Sequence, residues 1–196
     1  MKELIEHLSP LITDQRWNRF NEVLAERTQY ITIVLENIYQ PLNASAVLRS
    51  ADCFGIQDVH VIENHNEFTP DREVAMGSSK WLNIKRYNEE ENNTLQCIKK
   101  LKKEGYRIVA TTPHKNDCNL HKFQLAKGKT ALLFGTEMEG LTDVALKEAD
   151  EFLKILHQLG NDQNVFVISH KGDILSDKFR STIRFEKHKN FSRIAS

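Results

Sequence analysis

Short apolar segments alternate with helical ones from residue 31 onward, and this alternation limits the fold more than any other feature of the sequence. The apolar segments have the length and residue types of buried strands, and they begin roughly 20 to 28 residues apart, which leaves room for a crossover helix each time. We therefore expect an α/β fold in which a mostly parallel sheet carries helices on both faces. The predicted strands are residues 31–35, 59–62, 82–87, 106–111, 130–134 and 152–155.

Helical patterns fill the gaps between the predicted strands, and glycines mark where two of the helices end. A helix over residues 43–54 precedes Gly55, and a helix over residues 92–104 precedes Gly105. Glycine readily adopts the left-handed conformation found at helix ends. A third helix is predicted over residues 142–149.

The two ends of the chain depart from this alternation. The first thirty residues predict a helical arm capped by Thr13 or Asp14, whereas the last forty are polar and basic without a steady period. The apolar stripe expected on the arm consists of Trp17, Phe20 and Leu24. The expected parts of the chain are the arm over residues 1–30, a domain over residues 31–155 and a divergent segment over residues 156–196.

Composition narrows the class of protein. With 196 residues, 40% of them hydrophobic, the chain can bury the core of one α/β domain. A mean hydropathy of −0.50 argues against a membrane-spanning helix, and the N-terminus lacks the features of a signal peptide, so the expected location is the cytoplasm. Since Lys+Arg and Asp+Glu both number 27, a polyanionic partner would need a local basic patch.

Neither the cysteines nor the histidines predict a metal site. Cys53, Cys97 and Cys118 show no CxxC spacing, so we expect reduced, structural cysteines. His114 and His121 flank Cys118 at a spacing found in some metal sites, but no fourth ligand lies nearby, and we interpret both as surface residues. The sequence also lacks the GxSxG and HExxH motifs of hydrolases and metalloproteases.

A polar stretch follows the first predicted strand and enters a helix. It turns at Pro41 and continues through Asn43 to Arg49 and Asp52. Because Ser45, Arg49 and Asp52 share one helical face, an ordinary surface pair of Arg49 with Ser45 or Asp52 is one interpretation. The other interpretation places the guanidinium at the carboxyl end of a parallel sheet, where α/β folds bind ligands and where its fork suits a phosphate or a polarised hydroxyl.

A second polar stretch follows the predicted strand at residues 130–134. It contains Gly135, Glu137 and Gly140 before the next helix begins. A tight strand-to-helix turn explains both glycines without any function. Alternatively, Gly135 lets the backbone pass close to another group, and Glu137 stands at the carboxyl end of the strand. The stretch lacks the lysine of a phosphate-binding P-loop, and the chain has no GxGxxG, so neither nucleotide hydrolysis nor a dinucleotide site is favoured.

Taken together, in this order and at this separation, the two stretches resemble the first two motifs of the SpoU or TrmH-type RNA 2′-O-ribose methyltransferases, which are α/β-knot (SPOUT) proteins. The resemblance covers roughly residues 4–155, includes the short helical arm, and is greatest to the members that methylate a guanosine of tRNA. The matching residues are Asn43, Arg49, Ala51 and Asp52 in the first motif and Gly135, Glu137 and Gly140 in the second.

The resemblance implies a knotted homodimer that transfers a methyl group from S-adenosylmethionine to a ribose 2′-hydroxyl, here of a guanosine in the tRNA D-loop. Arg49 would stabilise the developing alkoxide, and Asn43 and Glu137 would orient Arg49 and the ribose. No metal is expected. The implied cofactor contacts are Thr111, Leu133, Gly135 and Ile155. Because a neutral chain must concentrate its positive charge to hold RNA, we expect an RNA-binding surface made of Arg16, Arg19, Arg27, Lys80, Lys85 and Arg86.

The resemblance stops abruptly after Ile155. The third motif of the family reads Ile-Pro-Met-x-Gly and then Ser-Leu-Asn-Val-Ser, and it forms the knot and most of the cofactor pocket. In this chain Leu-His-Gln-Leu-Gly follows Ile155, and no Ser-Leu pair precedes Asn164 and Val165. A reading-frame change near the end of the gene or genuine divergence would produce this pattern.

Two other interpretations therefore stay open. The chain could be a non-catalytic RNA-binding or scaffold protein of the same fold that has lost the cofactor loop, and measured cofactor binding distinguishes this from the enzyme. A Rossmann-like enzyme acting on a small molecule is weakened by the missing glycine fingerprint.

Overall fold

The computed structural model describes residues 2–112, 118–154, 185–188 and 191–194, the last two ranges by their backbone alone. Internal contacts divide the chain into two units, residues 1–158 and residues 159–196. The second unit contains an antiparallel pair of strands, β8 (Phe185–His188) and β9 (Phe191–Ile194). The expected knot and the expected loss of the third motif fall on the remaining residues, outside the described ones.

A parallel sheet forms the centre of the first unit. Its strands are β1 (Ile31–Glu36), β2 (Asp58–Ile62), β3 (Asn83–Tyr87), β4 (Arg107–Thr111), β5 (Cys118–Asn119), β6 (Thr130–Phe134) and β7 (Glu151–Lys154). They lie in the order β3-β2-β1-β6-β4-β7-β5, and every neighbouring pair is parallel. All six predicted strands are confirmed within two residues at each end, and the short β5 was not predicted.

Six helices are described in the first unit. They are α1 (Lys2–Leu8), α2 (Asp14–Ala25), α3 (Pro41–Cys53), α4 (Arg72–Ala75), α5 (Asn93–Lys103) and α6 (Asp143–Glu148). α3 starts at Pro41, two residues earlier than predicted. Proline is tolerated at the first position of a helix because the N–H group that it lacks would have no partner within the helix there. The Asn92 and Thr142 side chains cap α5 and α6 by accepting from the Leu95 and Ala145 amides.

The arm is not one continuous helix, contrary to the prediction of helix through the first thirty residues. A 3-10 turn over Ser9–Leu11 follows α1, since Pro10 lacks the N–H that a continuing helix would need. The Thr13 side chain then accepts from the Arg16 amide and starts α2. After α2, Thr28 forms an isolated parallel bridge with Ile56.

Helices cover both faces of the sheet, as expected. Ile33 and Leu35 of β1 pack on one face in a cluster that includes Leu48 of α3. Val34 points to the opposite face, where the core includes Ile98 of α5. This alternation follows from the two-residue period of a strand.

The two central strands leave a crevice at their carboxyl ends. β1 and β6 are neighbours, with Leu35 opposite Phe134, but the chain continues from β1 into α3 on one face and from β6 into α6 on the other. Loops that diverge to opposite faces open a crevice beyond the carboxyl ends of the strands, which is where α/β sheets bind ligands. Both polar stretches identified in the sequence lie at this crevice.

Three further expectations concern the described residues. No described helix has the length and the apolar character needed to cross a membrane. Of the three cysteines, Cys97 is buried, Cys118 is partly buried and Cys53 is exposed. His114 and the side chain of His121 lie outside what the structure describes.

Candidate functional site

Two loops build the site. The first loop, residues 37–40, joins β1 to α3, and the second loop, residues 135–142, joins β6 to α6. Asn37 opens the first loop in the left-handed region, with φ of 53°. Its side-chain oxygen accepts from the backbone amides of Asn64 (2.8 Å) and His65 (3.3 Å), and these bonds tie the first loop to the chain that follows β2.

Asn43 and Glu137 meet across the crevice. The Asn43 side-chain Nδ2 donates to Oε1 of Glu137 at 2.9 Å, although the two residues are 94 positions apart. Each lies next to the carboxyl end of a central strand, in the first turn of α3 and in the second loop respectively. The structure therefore brings together two of the three side chains that the sequence singled out as catalytic.

Arg49 lies on α3 one and two-thirds turns beyond Asn43 and is exposed. The interpretation of Arg49 as half of a local surface pair is wrong, since its two candidate partners are engaged elsewhere. The Ser45 hydroxyl contacts the carbonyl oxygens of Pro41 (2.8 Å) and Asp71 (3.1 Å), and Asp52 is paired with Arg27. Within the described residues, Arg49 has no hydrogen bond or ion pair.

A buried carboxylate joins the two loops from below. Glu36, the last residue of β1, is 1% exposed. Its oxygens accept from the Thr94 hydroxyl (2.5 Å), the Thr142 amide (2.9 Å) and the Thr142 hydroxyl (2.8 Å). Because Thr142 lies at the end of the second loop and caps α6, these bonds fix the end of that loop to β1.

Gly135 allows the second loop to close on itself. A Cβ atom at this position would lie 2.1 Å from the carbonyl carbon and oxygen of Gly140, too close for any side chain. The closure is made by two backbone hydrogen bonds between Thr136 and Gly140, of 3.0 and 3.1 Å. The backbone that passes close to Gly135 is the loop itself, which agrees with the tight strand-to-helix turn considered for the two glycines.

The residues expected at the cofactor lie at the ends of β4 and β6. The Thr111 hydroxyl donates to the carbonyl oxygen of Leu133 at 2.7 Å. Leu133 is 0% exposed, with its side chain in the core and its carbonyl oxygen bonded to Thr111. Ile155 lies outside the described residues.

These strand ends fit one side of an adenosine. Thr111, Thr112 and Phe134 are partly buried and uncharged, which suits the apolar faces and the neutral polar edge of the adenosine of S-adenosylmethionine. The third motif, which the family resemblance implies for the other side of the pocket, falls outside the described residues.

Two of the expected RNA-binding residues lie together on an exposed surface with two aromatic rings. The Phe20 ring of α2 lies 6.3 Å from the Trp81 ring, and the Arg16 guanidinium lies 5.7 Å from the Phe20 centroid. Lys80, next to Trp81, ends a 3-10 turn and is exposed. Trp81 is exposed and Phe20 is partly buried. Basic side chains beside accessible aromatic rings are typical of surfaces that bind single-stranded nucleic acid. We call Arg16, Phe20, Lys80 and Trp81 the arm patch.

The other four expected RNA-binding residues are in ion pairs. The pairs are Arg19 with Glu22 (3.1 Å), Lys85 with Asp58 (3.6 Å), Arg86 with Glu63 (2.6 Å) and Arg27 with Asp52. Burial alone would raise the pKa of the Glu63 carboxyl, but hydrogen bonds from Arg86 and from the Phe68 amide lower this pKa below its ordinary value.

Comparison with known proteins settles the family. The model of the SpoU rRNA Methylase family matches residues 30–161, about two thirds of the chain. The chain belongs to this family. It is 43% identical over 148 residues to the tRNA (guanosine(18)-2'-O)-methyltransferase of Borreliella burgdorferi, a match that covers 76% of this chain and 66% of that protein. It is 30% identical over 172 residues to the enzyme of the same name from Thermus thermophilus, covering 88% and 86%.

Solved structures share the fold. The A. aeolicus TrmH/SpoU tRNA modifying enzyme matches 80% of this chain and 73% of its own length, with a TM-score of 0.62 and 23% identity. The SpoU methyltransferase AviRb from Streptomyces viridochromogenes, solved in complex with AdoMet, matches 73% of this chain and 52% of its own length, with a TM-score of 0.55 and 20% identity. The expected α/β architecture of the SpoU class is thereby confirmed.

Sequence reasoning missed the buried part of this SpoU-family site. Glu36 and Thr142 connect the two motifs, yet neither was singled out for that role. A glutamate that directly follows a run of apolar strand residues, as in Ile31–Glu36, was the available signal, because an acidic side chain at a buried strand end needs several donors.

Proposed function

We propose that this chain transfers a methyl group from S-adenosylmethionine to the ribose 2′-hydroxyl of a guanosine in tRNA. The observation that carries the proposal is the 2.9 Å contact between Asn43 and Glu137, which joins the two family motifs at the crevice of the sheet. The SpoU family membership and the names of the Borreliella and Thermus relatives support the reaction and the substrate. Agreement between the family and the geometry favours this function over a small-molecule enzyme.

The chain's own residues would position the ribose and stabilise charge. S-adenosylmethionine supplies an electrophilic methyl group on its sulfonium. Arg49 is exposed and without an ionic partner among the described residues, so its guanidinium can donate to the 2′-oxygen as negative charge develops there. An arginine is effectively always protonated, so Arg49 stabilises the oxyanion and does not remove the proton.

The remaining site residues have supporting roles in this proposal. Asn43 and Glu137 orient Arg49 and the ribose, and the ends of β4 and β6, with Thr111, Leu133 and Gly135, hold the adenosine. RNA would bind on the arm patch and on Arg19, Lys85 and Arg86, and its phosphates would contact these basic side chains. The site of action would be the cytoplasm.

A homodimer is part of the proposal. The arm exposes Leu4, Ile5, Leu8 and Leu11, which are 46% to 75% exposed. Exposed apolar side chains gathered on one short segment favour a second copy of the chain as their cover. Light scattering on the purified protein over a range of concentrations measures this association, and a protein that stays monomeric even at the highest concentration reached would contradict it.

A methyl-transfer assay with site mapping tests the function. Incubation with radiolabelled S-adenosylmethionine and an unmodified tRNA transcript should label one guanosine. The matched control is the same tRNA with 2′-deoxyguanosine at that position, which should take up no label. Label that survives in the deoxy control would place the methyl group on the base and overturn the proposal.

The second candidate is an RNA-binding protein without catalysis. The abrupt departure from the family pattern after Ile155 favours it. Salt-dependent tRNA binding without binding of S-adenosylmethionine would select this alternative.

A further inference from the structure

The N-terminal helices touch the sheet domain at few points. Neither α1 nor α2 has a buried residue. Halfway along α2, Phe20 packs against Trp81, and beyond the end of α2 residues 26–28 contact the turn that follows α3. Between α2 and the end of α3 lies a cleft of about 520 Å³, so these helices are not packed along their length. Each point of attachment therefore matters for the orientation of the arm.

An enclosed ion pair forms the main attachment at the end of α2. Arg27 Nη2 pairs with Oδ1 of Asp52, and their side chains are 11% and 26% exposed. The Nη1 atom of Arg27 is also buried and, within the described residues, has no hydrogen-bond partner. A guanidinium enclosed in this way would have to leave Asp52 before it could contact a phosphate.

Backbone contacts reinforce the ion pair. The Thr28 amide donates to the Gly55 carbonyl at 2.8 Å, and the Gln57 amide donates to the Thr28 carbonyl at 3.1 Å. Gly55 has φ of +71°, and a Cβ atom there would lie 2.4 Å from the carbonyl oxygen of Glu26. The arm can approach this turn so closely because the residue is glycine. We call these contacts and the Arg27–Asp52 pair the clip.

The clip lies on the helix that carries Arg49. Asp52 follows Arg49 by three residues on α3, which is close to one helical turn. We propose that Arg27 is a positioning residue: its pair with Asp52 sets the orientation of the arm, and of RNA bound on the arm patch, relative to Arg49. This role differs from the phosphate contact expected of Arg27 from the sequence. The part of this proposal that concerns RNA rests on the proposed function, whereas the part that concerns the clip rests on the structure alone.

Hydrogen exchange and salt-dependent tRNA binding test the proposal on the full chain. The variants are Arg27→Gln, Asp52→Asn and the double variant, and the matched control is Arg19→Gln, an arginine of the same arm that is 73% exposed. Removing either partner should raise amide exchange at least tenfold in α2 and in the last turn of α3. The double variant should exchange no faster than the single ones, because they remove the same interaction. Arg19→Gln should leave exchange unchanged.

The salt dependence separates positioning from phosphate binding. The slope of log affinity against log salt should be the same for Arg27→Gln as for the parent, whereas a lost phosphate contact would reduce its magnitude by about 0.9. A slope reduced in this way, or exchange unchanged in α2, overturns the proposal. Exchange in α5 serves as the internal reference. If exchange in Arg27→Gln rises as much in α5 as in α2, this variant is destabilised as a whole, and the milder substitution Asp52→Asn decides the test. If tRNA does not bind at all, the proposed function fails, and the exchange measurement still decides the clip.

Discussion

At the scale of single residues, the buried carboxylate of Glu36 supports the exposed loops that form the candidate site. Three donors surround its oxygens, two from Thr142 and one from Thr94. A buried carboxylate is tolerated only when such donors replace its water, and here they come from the first turn of α5 and from the residue that caps α6. The position of the second loop is thus coupled to the last residue of β1.

Removing this carboxylate should destabilise the domain. Glu36→Ala leaves the buried Thr94 hydroxyl and the partly buried Thr142 amide and hydroxyl without their acceptor. At roughly 1 to 3 kcal/mol for each unsatisfied buried group, and less for a group that water can reach, we expect a loss of about 3 kcal/mol in the free energy of unfolding. Urea denaturation followed by circular dichroism measures it. The control is Glu139→Ala, an exposed glutamate of the second loop, which should change stability by less than about 0.5 kcal/mol. Equal effects of the two substitutions would contradict the role assigned to Glu36.

Arg49 should be needed for catalysis and not for folding. It is exposed and has no ionic partner within the described residues, so Arg49→Ala should change the free energy of unfolding by at most about 1 kcal/mol. Methyl transfer to tRNA should be abolished, as measured with radiolabelled S-adenosylmethionine at high concentration. Ser50→Ala, on the same exposed turn of α3, is the control and should retain activity. Full activity of Arg49→Ala would remove this residue from the mechanism.

His60 should make the stability of the domain depend on pH. Burial lowers its pKa from 6.5 to about 4, aided by the positive charges of Lys85 and Lys100 and opposed by Asp58. Between pH 6.5 and 4 the unfolded chain therefore binds a proton that the folded chain does not, and stability falls as the pH is lowered through this window. At 1.36 kcal/mol per unit, the loss is at most about 3 kcal/mol.

Urea denaturation at pH 7, 5.5 and 4.5 measures this fall. His60→Gln should flatten the pH dependence over that window, since the titrating ring is removed. His65→Gln, which removes a less buried histidine, serves as the control and should keep the dependence of the parent. A parent chain whose stability does not change between pH 7 and 4.5 would show that His60 is not held neutral by the fold.

At the scale of elements, the sequence predicts the sheet well because each strand is a buried apolar run between recognisable helix signals. The prediction of a continuous helix failed in the arm. The stripe of Trp17, Phe20 and Leu24 indicates α2 but not the interruption before it, which Pro10 causes locally. The site was predictable only in its exposed half. Asn43, Arg49 and Glu137 belong to motifs, whereas the pairing of Arg27 with Asp52 depends on contacts between distant segments that no local pattern encodes.

The second loop should depend on the absence of a side chain at Gly135. Gly135→Ala would force the Thr136–Gly140 closure open, because its Cβ would overlap the Gly140 carbonyl, and we expect a loss of about 2 to 4 kcal/mol in stability together with a weakened Asn43–Glu137 contact. Gly105→Ala is the contrasting control. Gly105 has open space around it and φ of +83°, so only backbone strain of about 1 kcal/mol is expected.

Chemical denaturation gives both stabilities, and the NMR signal of the Asn43 side-chain amide reports the contact with Glu137. The amide signal should shift in Gly135→Ala and stay in place in Gly105→Ala. If the two alanine variants lost equal stability with the Asn43 signal unmoved, the closure of the second loop would not be what positions Glu137.

At the scale of the whole molecule, the charge pattern limits how RNA can be held. Lys+Arg and Asp+Glu are equal in number, so no overall field attracts a polyanion. Of the six basic residues expected to bind RNA, four are in ion pairs with carboxylates. Arg16 and Lys80 of the arm patch have no such pair among the described residues, so in the proposed function this patch contacts the phosphates and the crevice recognises the ribose.

The C-terminal segment should determine how well this chain binds the cofactor. In the family, the third motif closes the pocket, and in this chain the sequence after Ile155 lacks its proline, methionine and Ser-Leu pair. An unpaired polar edge costs roughly 1 to 3 kcal/mol per group, so losing two such contacts should weaken binding of S-adenosylmethionine by a factor on the order of 30 to 10⁴. We therefore expect weak cofactor binding, low methyltransferase activity and an impaired dimer for the chain as written.

Replacing residues 156–196 with a third motif and helix of the family type should restore all three properties, because in the proposed function the ends of β4 and β6 would hold one side of the adenosine. Calorimetry with S-adenosylmethionine and light scattering on both proteins measure the difference. The control is a chain in which the same segment is replaced by a flexible Gly/Ser linker, which should remain as weak as the parent. Micromolar cofactor binding by a tight dimer of the unmodified chain would show that its own C-terminal segment completes the pocket.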